Sequence, residues 1–193
     1  MSQLIVCRNT ESAHLKAKAN ETWNLIKQLD FKQICHSSVK ECSLLVPSKQ
    51  GGSGSSSPAV SELKTIKLED VEYRDFPHGE ASMSPFTCAV AVGSLRHVTY
   101  KDGAEFVFRI VEISDLQRMI SYELIETDAT VNVSSVLHTI QVFDISESGE
   151  SMINWTTEFS GDCDQHVYSD CKFKKLDAFQ DMRQVLQKQR TRE

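Results

Sequence analysis

The chain has 193 residues, 40% of them apolar, and sets 21 Lys and Arg against 27 Asp and Glu. That length suits one domain burying about 70% of its unfolded surface, so neither disulfides nor a structural metal is needed for stability. A net charge of −6 with no basic block excludes a nucleic-acid phosphate binder and a protein held on anionic membranes by charge.

No apolar run reaches 18 residues, so no integral membrane contact is expected. Met1 to Arg8 has too short an apolar stretch and no basic start, unlike a signal peptide. The six cysteines form no C-x-x-C pair. Scattered thiols without an export signal suit reduced side chains and a cytoplasmic location.

Ala13 to Lys18 is the first strand candidate. Asn20 then offers a helix N-cap, with Glu21 favourable in the first turn. Trp23, Leu25, Ile26 and Leu29 follow on a helical period that ends near Asp30. All four prolines and half of the eight glycines fall between residues 47 and 85. Gly51 to Ser57 within this stretch has the composition of a flexible linker. Residues 47–85 therefore read as an insertion in a single domain spanning 1–193, because too few residues precede it for a separate core. Glu62 to Arg74 suits a short helix and an edge strand equally well.

Downstream the texture is that of strands. Phe86 to Tyr100 leads into a Lys101-Asp102-Gly103 turn, and Glu105 to Ile113 and Met119 to Ile125 follow. Val131 to Ile145 then runs to a Ser148-Gly149 turn, and Met152 to Ser160 returns. Successive strands without intervening helices make an antiparallel meander. A closing helix begins after Asp162 or Asp164, with Tyr168, Cys171, Leu176, Phe179, Met182 and Leu186 on or near one stripe. Lys172, Lys174, Lys175, Arg183 and Lys188 sit among them or on the other face. At about 25 residues and 1.5 Å each, it is long enough to cross a sheet.

The usual catalytic signatures are missing: there is no phosphate-binding glycine loop, no G-x-S-x-G and no H-E-x-x-H. Cys35-His36 with Cys42, and Cys163 with His166 and Cys171, approach metal-ligand spacing. Neither supplies the two tight ligand pairs of structural zinc, so no metal and no cofactor is expected. Asp162 and Asp164 read as helix caps rather than an acid/base pair, and strand alternation puts Glu158 outside.

Five short motifs recur in a familiar order. They are Val92-Gly-Ser-Leu-Arg96, Asp102-Gly103, the Phe108 to Asp115 strand, Ile120-Ser-Tyr122 and Trp155-Thr-Thr-Glu-Phe159. With Thr22-Trp23 and the helix around it, they resemble the START-like SRPBCC superfamily over roughly residues 12–190. This group includes polyketide cyclase/dehydrase-type and pollen-allergen-type proteins and the abscisic-acid receptors. The resemblance implies an α+β helix-grip fold, in which a curved antiparallel sheet of about seven strands wraps a long C-terminal helix. One or two short helices follow the first strand, and strands starting near Val39 and Phe86 complete the count. The gate and latch of the hormone receptors are replaced here by Tyr100 to Ala104 and Thr127 to Val131. A hormone-gated phosphatase inhibitor is therefore not expected.

Alternation along the strands places Phe106, Phe108 and Ile110 on one face, and Ile120, Tyr122 and Leu124 on another. Val133, Ser135 and Leu137 form a third set, and Ile153, Trp155, Thr157 and Phe159 a fourth; by this parity His138 faces away. Pointing inward together, the sets would make an apolar, aromatic lining with a few hydroxyls. Candidate ligand contacts are Phe106, Phe108, Tyr122, Ser135, Trp155 and Tyr168. Lys32 is placed, by the resemblance, to bind a ligand carboxylate. Arg96 and Arg109 are expected to hold cross-strand carboxylates such as Glu112 or Glu123. The expected function is to carry or sense a small hydrophobic or amphipathic ligand, such as a lipid, sterol, isoprenoid or polyketide-like molecule. Two alternatives stand beside it. One is a cyclase/dehydrase-like enzyme drawing on Tyr122, His97 or His138, and Arg96. The other is an adaptor that meets a protein partner through residues 47–85 and the closing helix.

Overall fold

The computed structural model describes residues 7–47, 63–68, 90–129 and 133–191. The chain runs β1 (Cys7–Leu15), α1 (Ala19–Ile26), α2 (Phe31–Ile34), β2 (Val39–Pro47), β3 (Leu63–Lys67), β4 (Leu95–Tyr100) and β5 (Glu105–Ser114). It continues through β6 (Met119–Thr127), β7 (Val136–Ile145) and β8 (Glu150–Phe159) to α3 (Gln165–Arg190). Eight strands form one antiparallel sheet in the order β1-β8-β7-β6-β5-β4-β2-β3. The sheet curves around α3, which makes this the expected helix-grip fold with one strand more than anticipated.

Several boundaries move, each for a local reason. The first strand starts at Cys7 and ends at Leu15, because the whole of it pairs with β8, from Cys7 opposite Phe159 to Leu15 opposite Ser151. Lys18, not Asn20, sits at the N-cap of α1; its N–H donates to the Glu21 carboxylate at 3.2 Å. That helix ends four residues early, since Leu29 adopts a left-handed φ of 48°. Asp30 then caps α2 by accepting the Lys32 N–H at 3.0 Å. The ambiguous segment after the linker contributes edge strand β3, paired with β2 from Ser43–Lys67 to Pro47–Leu63. Residues 48–62 and 69–89, which include most of the insertion and Phe86, lie outside the described residues. The strand assigned to Phe86–Tyr100 is β4 from Leu95 onward, after a turn at Val92-Gly93 in which Gly93 has φ +90°.

Motif residues turn out to hold elements together. Trp23 Nε1 donates to Asp115 at 2.6 Å, joining α1 to the end of β5, and the Thr22 hydroxyl meets Ser151 at 2.8 Å. Arg109 donates to Glu123 at 2.7 Å across the β5–β6 pair, as expected for that arginine. Arg96 differs: it is buried and donates to the Gln28 carbonyl at 3.2 Å, tying β4 to the chain after α1.

α3 spans 26 residues, about 39 Å. Asp164 caps it, accepting from the N–H groups of His166 and Val167 at 2.8 and 2.9 Å. Asp162 instead binds Ser134 just before β7 and Ser160 just after β8. Replacing Asp164 with Ala should cost about 1 kcal/mol, read as a shift in urea midpoint. The same change at Asp162 should leave helix content unaltered by circular dichroism. The inward face of α3 carries Lys175, Ala178, Phe179, Met182 and Leu186. Leu176, assigned to that stripe from sequence, is on the outer side and 38% exposed. Helix geometry explains the exchange. Positions 171, 175, 178, 182 and 186 follow 3.6-residue spacing, while 176 is turned about 100° from 175.

Candidate functional site

The N-terminal half of α3 touches β1 and β8 through Tyr168, Cys171 and Lys175 and faces the inner side of the sheet. Between them lies a cavity of about 300 Å³. Its aromatic wall is a cluster centred on Phe108, whose ring centroid lies 5.3 to 5.9 Å from those of Phe31, Phe106, Tyr122 and His138. Trp155, Val136 and Phe159 continue the wall, and Cys171, Lys174 and Lys175 close it from the helix. Asp102, Ala104, Ala129, Val133, His166 and Asp170 stand around its outer end.

Strand register determines which residues reach this space. The turn at Gly149 (φ +68°) pairs Ile145 with Glu150, and counting back puts Ile140 opposite Trp155 and His138 opposite Thr157. Even-numbered residues of β7 therefore face inward. This corrects the sequence parity: His138 lines the cavity, Leu137 faces the other way, and Ser135 is exposed at the start of the strand. On β5, a bulge between Ile110 and Glu112 resets the alternation, so that Ile113 rather than Glu112 joins the core.

Of the seven candidate ligand contacts, Phe106, Phe108, Tyr122 and Trp155 line the cavity together. Ser135, Tyr168 and Lys32 do not. The Tyr168 ring rests 6.0 Å from that of Phe159, and its hydroxyl donates to the Arg8 carbonyl at 3.5 Å. Lys32 is exposed on α2, where the preceding Phe31 takes the inward position. The acid/base set also divides. Tyr122 and His138 stack at 4.7 Å, whereas His97 pairs with Glu105 at 3.4 Å away from the cavity and Arg96 serves the Gln28 carbonyl.

The polar side of the cavity is a connected set. Thr157 Oγ1 meets His138 Nδ1 at 2.9 Å and the Cys171 thiol at 3.4 Å. One helical turn on, Lys175 donates to Asn9 Oδ1 at 2.7 Å and to the Asn9 carbonyl at 3.0 Å. Asn9 is opposite Thr157 in the β1–β8 ladder, which brings the lysine to this set. Burial controls the protonation states. Desolvation, with the Lys175 charge adding to it, lowers His138 to about 3, so its imidazole is neutral. Desolvation also holds the Tyr122 hydroxyl well above its usual range and raises the Cys171 thiol. It lowers the Lys175 ammonium to about 8, against smaller opposing effects of Cys171 and Glu11. The Trp155 Nε1–H is buried beside the Tyr122 hydroxyl without a hydrogen bond of acceptable geometry.

Sequence reasoning missed Lys175, gave His138 only as an acid/base alternative turned away from the lining, and missed Phe31. The first was legible, together with Lys174, as a position at helical spacing between Cys171 and Ala178. The second was legible by counting back from Gly149. Phe31 carried no comparable signal. No cluster of three or more His, Cys, Asp or Glu side chains able to hold a metal occurs among the described residues. His36 instead faces the buried Asp181 carboxylate at 3.4 Å.

No family model and no curated protein matches the chain. Solved structures do share its fold. An uncharacterised protein from Bacillus thuringiensis is 16% identical with a TM-score of 0.57, over 93% of this chain and 98% of that one. A protein from Nitrosospira multiformis is 14% identical with a TM-score of 0.59, over 93% and 96%. The major latex-like protein 151 of Panax ginseng is 12% identical with a TM-score of 0.58, over 92% and 95%. At such identities the likeness is one of fold. No helix among the described residues is long and apolar enough to cross a membrane.

Proposed function

We propose that the protein holds a small hydrophobic or amphipathic molecule in this cavity, as a carrier or sensor of the START-like superfamily. One observation carries the reading: an aromatic-walled space of about 300 Å³ is kept open between α3 and the sheet. Protein interiors normally close to crystal-like density, and unfilled apolar space is destabilising in proportion to its volume. The volume is at the lower end for small-molecule pockets, and the mixture of aromatic wall and few polar groups is typical of them. The separation of Arg96 and His97 from Tyr122 and His138 favours holding a ligand over cyclisation chemistry.

Displacement of the fluorescent probe 1-N-phenylnaphthylamine tests the reading, alongside native mass spectrometry of freshly purified protein. The wild type should bind the probe saturably. Cys171→Trp, which places an indole inside the cavity, should weaken binding at least tenfold without lowering the thermal midpoint. Undiminished binding by that folded variant would move the ligand site elsewhere.

A further inference from the structure

We infer that the ligand is an anionic amphiphile, an apolar tail bearing a carboxylate, and that Lys175 receives its headgroup. This rests on the cavity-binding function proposed above and specifies its ligand.

The Lys175 residue is 2% exposed and lines the cavity. Both acceptors of its ammonium belong to Asn9 and are neutral amide oxygens. The third ammonium proton has no acceptor among the described residues, and no carboxylate there lies within ion-pair distance. Glu11 lies beyond ion-pair distance of it: its carboxylate accepts from the Asn9 side-chain amide at 3.5 Å and faces Lys172 at 3.9 Å. A buried cation with no counter-ion is costly, and an ordinary structural lysine would be exposed or paired.

The groups beside it do not supply the missing charge. In the lining, Tyr122 presents a hydroxyl, Cys171 a thiol, His138 a ring and Trp155 an indole N–H. These are donors or neutral groups. Such a wall is complementary to a carboxylate, which accepts several hydrogen bonds and neutralises the ammonium. Phe31, Phe106, Phe108 and Val136 offer apolar surface for the tail. The acidic residues of the lining, Asp102 and Asp170, are exposed at the outer end, and Asp170 is ion-paired with Lys174 at 2.8 Å.

The experiment compares octanoate with 1-octanol as displacers of 1-N-phenylnaphthylamine at pH 7, for the wild type, Lys175→Met and Lys175→Gln. Without a matched cation the alcohol should win, because a carboxylate gives up much more hydration. The wild type should instead prefer octanoate at least tenfold. Both variants should lose that preference while keeping their affinity for octanol. Equal affinities in the wild type, or a preference that survives in the variants, would overturn the inference and leave cavity binding standing. Failure of the probe and both displacers to bind would overturn cavity binding and the inference together. The wild-type comparison decides the matter even if one variant does not fold.

Discussion

Acidification from pH 7 to pH 4 should cost the wild type roughly 3 kcal/mol more stability than a His138→Leu variant, measured by urea unfolding at each pH. The folded protein holds this imidazole near 3, mainly by desolvation, against about 6.5 in the unfolded chain. Between those values the unfolded state binds the proton that the folded state refuses. Stability is therefore complete above pH 6.5 and lost as pH falls toward 3. The cause is geometric: His138 is stacked on Tyr122 at 4.7 Å, bonded to Thr157 at 2.9 Å and near the Lys175 charge. The exposed Asp162 carboxylate, lowered to about 2 by Ser134 and Ser160, withdraws its contribution only below the normal aspartate range. It leaves the pH 7–4 interval to the histidine. Parallel acid responses in wild type and variant would mean that His138 is protonated in the fold.

The second large effect lies on the alkaline side and at Lys175. Its ammonium is lowered to about 8, so from 8 to 10.5 the unfolded chain binds more protons than the folded one. The charged lysine is a burden below pH 8 that is relieved as pH rises. Relative to Lys175→Met, the wild type should gain roughly 2–3 kcal/mol between pH 7.5 and pH 10. Absolute stabilities mix several groups. Cys42, pushed by burial up to about 12, has the opposite sign, because its unfolded thiol ionises first. Such contributions are common to both proteins and cancel in the difference. A gap that stays constant with pH would show that the ammonium is not desolvated in the fold.

Both groups belong to the part of the site that primary structure shows least directly. Phe106, Phe108, Tyr122 and Trp155 were legible because aromatic residues alternating in a strand can face only two ways, and a single helix covers one of them. Ser135 and His138 exchange places because the Gly149 turn, and not the first residue of β7, pins the register of that strand. A one-residue error in a strand reverses every side chain. On α3, Leu176 seemed the natural inward residue by hydrophobicity. Its place belongs to Lys175, which reaches an amide on β1, 166 residues away in sequence. No local pattern encodes that partner.

Elements and their order follow from hydrophobic period, turn residues and capping, which act over a few residues and are written locally, while the grip of sheet on helix is what the resemblance implies. The sequence by itself thus determined an antiparallel meander closed by a long helix, with an aromatic inner face. Whether that face would close into solid core or stand away from the helix depended on how β5, β7 and α3 seat against one another. Bulges, register and a buried ammonium settle that seating, and each is a long-range property. Only the tertiary structure decided that the aromatic face surrounds a cavity, and that its polar wall carries a lysine with no carboxylate in ion-pair distance among the described residues.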